Sequence, residues 1–167
     1  MDTTYYLHRF QNALDSLDME PFNQNGLELK VAVWHNSTVL KIQKPNWRNN
    51  SPTDIPFQNS IFFSIWVNDD LHQQNKLYYN IHALKLRKLS AYKLESRKFA
   101  EAFRLQFKAF QSQWPNVSTS FGPLTLMEGY IKIDTGELES AIANLAHSFV
   151  SIQFIIDDLL QERKIKR

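Results

Sequence analysis

The chain has 167 residues, of which 43% are hydrophobic and 22% charged, so residues 1–167 are expected to fold as a single domain with a sizeable core. It contains no cysteine, which excludes disulfides, thiolate metal sites and cysteine nucleophiles. The net charge of +2 is too small to indicate nucleic acid or a membrane as the partner. The segment after Met1 has neither the basic start nor the apolar run of a signal peptide, so a cytoplasmic protein is expected.

The first predicted element is a helix near the N terminus, because apolar side chains recur at helical spacing. Pro21 and Gly26 interrupt the pattern, and residues 18–26 are predicted to be a turn. The apolar positions of the helix are Tyr6, Phe10, Ala13, Leu14 and Leu17.

A hairpin is predicted next. Residues 27–34 alternate between apolar and polar side chains, which is typical of a half-buried strand. A polar turn at residues 35–37 leads into a second strand at residues 39–42. Three prolines in residues 44–60 predict a long loop.

Two more strands follow the loop. Residues 61–67 are apolar on both faces, which predicts a central strand. Residues 77–89 fit either a strand or a helix, and a fourth strand is favoured because Tyr78, Tyr79 and Ile81 cluster at the start.

The middle helix is predicted to begin at Ser96, which can cap it, and to end before Pro115. Its aromatic residues follow helical spacing, so one face of the helix is expected to pack on the sheet. This aromatic stripe consists of Phe99, Phe103, Phe107, Phe110 and Trp114.

The segment after the middle helix, residues 121–134, is predicted to be a hairpin or a single strand.

The final helix is predicted to begin at Asp134 or Thr135, with Glu137 completing a capping box, and to reach about Arg163. Its seventeen residues 140–156 carry no formal charge, and apolar side chains occupy most of its circumference. Such a helix is expected to be buried on more than one side. The sequence predicts a homodimer through this helix, with helix 1 of the same chain as the alternative cover. A membrane span is not predicted, because the stretch is too polar and too short.

These elements predict an α+β fold, with an antiparallel sheet of about four to five strands packed against an N-terminal, a middle and a long C-terminal helix. The order of elements resembles that of type III secretion chaperones, which dimerise and bind extended peptides. The resemblance covers the order of elements alone, and those chaperones are acidic whereas this chain is basic, so no family is assigned.

No metal, cofactor or catalytic site is predicted. The histidines lack ligand spacing, and the four glycines are too scattered to form a phosphate-binding loop. Asp69, Asp70 and His72 are interpreted as the capped end of a strand. The triplet Glu28-Leu29-Lys30 resembles the acid and lysine of restriction-endonuclease-like nucleases, which supports a nuclease only weakly because the upstream acids Asp18 and Glu20 lie in a turn.

Two candidate binding surfaces remain. If residues 77–89 form a strand, Asn80 and His82 share one face of it and could line a pocket with Arg97; the alternative is a histidine whose hydrogen bonds are satisfied by the backbone. The second surface is the basic stretch 85–108, with eight basic residues against two acids, and the alternative is a solvated helix face. Its proposed phosphate contacts are Lys85, Arg87, Arg104 and Lys108.

The sequence therefore predicts a non-catalytic binding or adaptor protein, homodimeric and with a protein partner. The alternative is a nucleic-acid-binding protein or nuclease that uses the basic stretch 85–108.

Overall fold

A computed structural model describes residues 3–49 and 60–166 of the chain. Within these ranges five strands form one antiparallel sheet, and each strand pairs with its neighbours in the sequence. Helices precede, interrupt and follow the strands, which confirms the predicted α+β class. The strands are β1 (Glu28–Trp34), β2 (Ser37–Gln43), β3 (Ile61–Val67), β4 (Lys76–Ala83) and β5 (Thr125–Lys132).

The helices of the described ranges include the three that were predicted, together with shorter ones. Four short 3-10 turns lie between them, at Pro45–Trp47, Leu86–Lys88, Gln111–Gln113 and Thr135–Glu137. The α-helices are α1 (Thr3–Asp15), α2 (Glu20–Gln24), α3 (Asp69–Gln73), α4 (Ser96–Phe107), α5 (Leu138–Ile152) and α6 (Phe154–Glu162).

The inner face of the sheet, defined as the face that packs against α1 and α5, forms the hydrophobic core. β3 is the central strand, as predicted, and its Phe63 ring stacks on Phe149 of α5 with the ring centroids 4.4 Å apart. Phe99, Phe103 and Phe107 of α4 are fully buried, which confirms that the aromatic stripe of the middle helix faces the core.

The C-terminal helix is covered by elements of the same chain. It runs through α5, bends at Gln153 and continues as α6. α1 packs along α5, and α4 packs along α6. At the start of α5 the Arg9 guanidinium donates to both carboxylate oxygens of Glu139. The Arg9 hydrogen bond is the main reason that the pKa of Glu139 is lowered. The predicted apolar stripe of this helix is buried: Leu138, Ile142, Leu145, Phe149, Ile152 and Ile156.

Close packing on the inner face requires a glycine in β5. The Tyr79 ring crosses Gly129, and its hydroxyl donates to the Pro115 carbonyl at 2.6 Å. A Cβ atom at position 129 would lie 2.3 Å from the Tyr79 Oη atom, closer than two such atoms can approach. Gly129 therefore leaves room for the Tyr79 ring, whose hydroxyl links β4 to Pro115 in the segment between α4 and β5.

Several boundaries differ from the predicted ones. The turn at residues 18–26 contains the short helix α2. The predicted capping box is wrong, because the 3-10 turn at residues 135–137 comes first and α5 begins only at Leu138. Ser96 is the first residue of α4 and does not cap it.

Three further segments refine the prediction. α4 ends at Phe107, before the predicted Pro115. Residues 121–134 contain one strand, β5, and no hairpin. The predicted loop 44–60 begins with a 3-10 turn that fully buries Trp47, and its residues 50–59 lie outside the described ranges.

Candidate ligand-binding site

The outer face of the sheet, opposite the inner face, carries a row of polar residues in register. Lys41 of β2 lies opposite Ser64 of β3, Ser64 lies opposite Asn80 of β4, and Asn80 lies opposite Glu128 of β5. Side chains that face each other across antiparallel strands are close enough to interact. Strand pairing thus brings together four polar side chains that are far apart in the sequence.

Three residues of the row, Ser64, Asn80 and Glu128, line a cavity of about 230 Å³ on the outer face. Trp34 and Trp66 contribute indole rings to it, and His82 lies edge-to-face with Trp34 at a centroid distance of 6.3 Å. The cavity is thus partly aromatic and partly polar, which is the usual character of a small-molecule site. Its lining comprises Trp34, His35, Ser37, Val39, Ser64, Trp66, Asn80, His82 and Glu128.

Hydrogen bonds fix the polar part of the lining. The Ser64 hydroxyl donates to Asn80 Oδ1, and Asn80 Nδ2 donates to Glu128 Oε1 at 3.1 Å. Asn80 is only 2% exposed, so its amide is held in one orientation by partners on both sides. The chain of bonds fixes one carboxylate oxygen of Glu128, a residue that lines the cavity.

Two nitrogen atoms of the lining residues have no hydrogen-bond partner among the described residues. They are Trp66 Nε1 and His82 Nδ1, and both atoms are buried. A buried polar atom without a partner costs about 1–3 kcal/mol, and such atoms are rare in folded proteins. Burial also lowers the pKa of His82, opposed by a hydrogen bond with the backbone of Leu124, and so favours the neutral imidazole.

The surroundings of Ser64 and of Glu28 bear on the catalytic roles that these residue types could have. The Ser64 hydroxyl donates to an amide oxygen and not to a basic group, so nothing here activates it as a nucleophile. Within the described ranges no three histidine, aspartate or glutamate side chains are grouped to hold a metal ion. Glu28 is exposed and forms an ion pair with Arg48 at 3.1 Å, on the edge strand β1. The nuclease motif Glu28-Leu29-Lys30 therefore has no acidic cluster around it in the described structure.

The structure brings together two of the three residues of the predicted pocket. Asn80 and His82 both line the cavity, as their shared strand face indicated. Arg97 is exposed on α4 and is not among the lining residues. The sequence did not predict Glu128, because only the pairing of β4 with β5 places it beside Asn80.

The basic stretch 85–108 does not form one continuous solvated surface. Lys85, Arg87 and Lys108 are exposed. Arg104 is half-buried, and its Nη2 atom donates to the carbonyls of residues 121, 122 and 125 at 2.8–3.0 Å while Nε donates to that of residue 126 at 3.1 Å. Arg104 therefore links α4 to the turn at residues 121–122 and to the start of β5, and its phosphate contact stays a prediction.

Comparisons with known proteins give no relative: no protein-family model, curated protein or solved structure matches this chain. Among the helices of residues 3–49 and 60–166, none has both the length and the apolar character needed to cross a bilayer.

Proposed function

We propose that this protein is a non-catalytic binding protein whose small ligand occupies the cavity on the outer face. The proposal rests on three residues that line the cavity. Trp66 and His82 each have a buried nitrogen, Nε1 and Nδ1, without a partner among the described residues, and Asn80 donates to the carboxylate of Glu128. A ligand that bonds to these atoms would recover the free energy that their burial costs.

The lining selects the chemistry of this ligand. At about 230 Å³ the cavity is smaller than most drug-sized sites, which occupy roughly 300–1,000 Å³. Indole rings favour a flat aromatic group. Glu128 supplies a carboxylate, and none of the described lining residues is a lysine or arginine that would neutralise it. The best match is a small aromatic amine, with an acceptor atom for the indole N–H of Trp66.

Binding can be tested with pairs of compounds that differ mainly in the sign of their charge. Tryptamine and indole-3-acetate share a ring system, as do tyramine and 4-hydroxyphenylacetate. Calorimetric titration is expected to show binding of the amine and little binding of the acid. Glu128→Gln is expected to weaken amine binding at least about tenfold, because a hydrogen bond to a charged group contributes about 1.5–3 kcal/mol.

Glu137→Gln is the matched control, since Glu137 is exposed at the start of the C-terminal helix and does not line the cavity. It makes the same change of charge and is expected to leave binding unchanged. Equal affinity for amines and acids, or equal effects of the two variants, would contradict the proposed ligand class.

The homodimer remains a prediction with reduced support. The dimer was predicted because the apolar C-terminal helix was expected to be buried on several sides. In the structure α1 packs against α5 and α4 packs against α6, so elements of the same chain bury it. The exposed apolar residue of the helix is Phe154, 39% exposed and edge-to-face with Phe110. Light scattering after size exclusion gives the mass directly. If a dimer is present, Phe154→Asp is expected to dissociate it, because a buried unpaired charge is costly. An adaptor role and a cytoplasmic location also remain proposals.

A further inference from the structure

The two most basic parts of the sequence become neighbours in the fold. The segment after β4 contains Arg87, Lys88 and Lys93, and the end of the chain contains Lys164 and Lys166. Lys93 N–H donates to the Arg163 carbonyl at 2.8 Å, and Ile165 N–H donates to the Ala91 carbonyl at 2.9 Å. An antiparallel bridge between Tyr92 and Lys164 lies between these two bonds. Backbone hydrogen bonds therefore hold the two basic segments together.

We propose that the joined basic surface, formed by Arg87, Lys88, Lys93, Lys164 and Lys166, binds the phosphates of a nucleic acid. All five side chains are exposed, and none forms an ion pair within the described ranges. The segment is anchored by the buried side chains of Leu86, Leu89 and Leu94, which leaves the intervening cations directed to solvent.

A hollow beside this surface adds groups that suit a nucleotide. It has a volume of about 200 Å³ and lies between the 3-10 turn at residues 45–47 and residues 88–92. Lys88, Ser90 and the half-buried Tyr92 line it, together with Arg48, which also forms the ion pair with Glu28. Proteins that bind single strands combine cations along the backbone with aromatic rings on which bases stack.

An anionic membrane fits the surface less well. Membrane-binding basic segments are commonly amphipathic helices with an apolar side that inserts between lipids, or flexible polybasic stretches. Here Arg87 and Lys88 lie in a 3-10 turn, and backbone hydrogen bonds join the segment that follows it to the tail. The exposed apolar side chain of the tail is Ile165, 45% exposed. Phosphate contacts from cations held on a folded surface can orient a protein on a nucleic-acid strand.

The proposal is tested by fluorescence anisotropy with labelled 30-nucleotide single-stranded RNA, single-stranded DNA and duplex DNA of mixed sequence. Binding to at least one probe is expected at 50 mM NaCl, with a steep loss of affinity by 200 mM because each phosphate contact releases counterions. Absence of binding to all three probes at 50 mM NaCl would overturn the proposal.

Paired variants test whether the two segments act as one surface. Arg87→Gln with Lys88→Gln removes two charges from the first segment, and Lys164→Gln with Lys166→Gln removes two from the tail. Each pair of substitutions is expected to weaken binding at least about tenfold. Each pair should also make the negative slope of log affinity against log salt less steep by about 1.4–1.8. If only one pair of substitutions weakens binding, the two segments do not bind nucleic acid as one surface, which would contradict the proposal.

The control is Lys76→Gln with Lys132→Gln, which removes the same charge elsewhere. Lys76 begins β4 and pairs with Lys132 of β5, so both lie at the end of these strands opposite the one from which the basic segment continues. This pair is expected to change affinity less than twofold. An equal loss in the control, or binding of phosphatidylserine vesicles without binding of nucleic acid, would overturn the proposal. Because these residues lie outside the cavity, the amine titrations are independent of the result.

Discussion

The two faces of the sheet bury their side chains in different ways. On the inner face, β3 contributes Phe63 and Ile65 to a continuous apolar core that α1, α4 and α5 complete. On the outer face the same strand contributes Ser64, which hydrogen bonds to Asn80, and the partly buried Trp66, whose indole nitrogen has no partner among the described residues. Apolar burial is non-directional, whereas each polar group must meet a particular partner in a particular geometry.

This difference separates stability from function. A side chain of the inner face can be replaced only at the cost of core packing, and that cost is large. The outer face retains buried polar atoms without partners among the described residues, and such atoms in a native protein call for an explanation. Substitutions on the inner face should affect the free energy of unfolding, and those on the outer face should mainly affect binding of the proposed ligand.

The largest effect is expected from the aromatic stripe of α4. Phe103→Ala or Phe107→Ala should lower the free energy of unfolding by about 3–5 kcal/mol, as deletions of buried phenylalanine do. Both side chains are fully buried and stack at a centroid distance of 5.4 Å. Urea titration monitored by circular dichroism measures the change. A loss below about 1 kcal/mol would show that the stripe contributes little to the core.

A smaller loss is expected where the inner face is packed most tightly. Gly129→Ala should cost about 3 kcal/mol, at the upper end for overpacking, because the new methyl group meets the Tyr79 hydroxyl and ring. Gly122→Ala is the matched control, since a Cβ atom there meets nothing within 4 Å. Equal stability of the two variants would show that Tyr79 moves aside freely.

Arg104 tests a structural polar contact away from both faces. Arg104→Gln should cost about 2 kcal/mol, because it removes charge-assisted bonds to the carbonyls of residues 125 and 126 at the start of β5. Arg97→Gln, an exposed arginine of the same helix, should change stability by less than about 0.5 kcal/mol. Thermal unfolding of the two variants gives the comparison. If their midpoints agree, the Arg104 bonds add nothing to stability.

Much of the inner face could be predicted from the sequence, because its signal is periodic. The stripe of α4, the buried stripe of the C-terminal helix and the central position of β3 all follow from the spacing of apolar residues. The predicted start of the final helix was wrong, because a capping-box pattern does not reveal that a 3-10 turn precedes the helix.

The outer face could be predicted only in part, because its geometry depends on strand register. Asn80 and His82 lie two residues apart on one strand, and that local spacing was enough to place them on one face. Ser64 and Glu128 are 16 and 48 residues from Asn80, so only the pairing of three strands brings them together. Arg104 likewise meets carbonyls that lie at least 17 residues away.

The smallest effect is expected from the buried imidazole of the outer face, and it depends on pH. Burial lowers the pKa of His82 in the folded protein below its ordinary value of 6.5, so below that pH the unfolded chain takes up a proton that the folded chain does not. The contribution of His82 to the free energy of unfolding is therefore fully present above pH 6.5. It is lost as the pH falls toward the pKa that His82 has in the folded protein. The slope can reach at most about 1.4 kcal/mol per pH unit for one proton.

His82→Gln removes this titration while keeping a polar side chain at the position. Urea titrations between pH 7.5 and pH 5 should show that wild-type protein loses stability relative to the variant as the pH falls. The range stops at pH 5, because Glu139, with its carboxyl pKa lowered from 4.5 by Arg9, contributes at more acidic pH. Parallel curves for the two proteins would mean that His82 titrates alike in the folded and unfolded states. The outer face would then lack the buried, neutral imidazole that distinguishes it from the inner one.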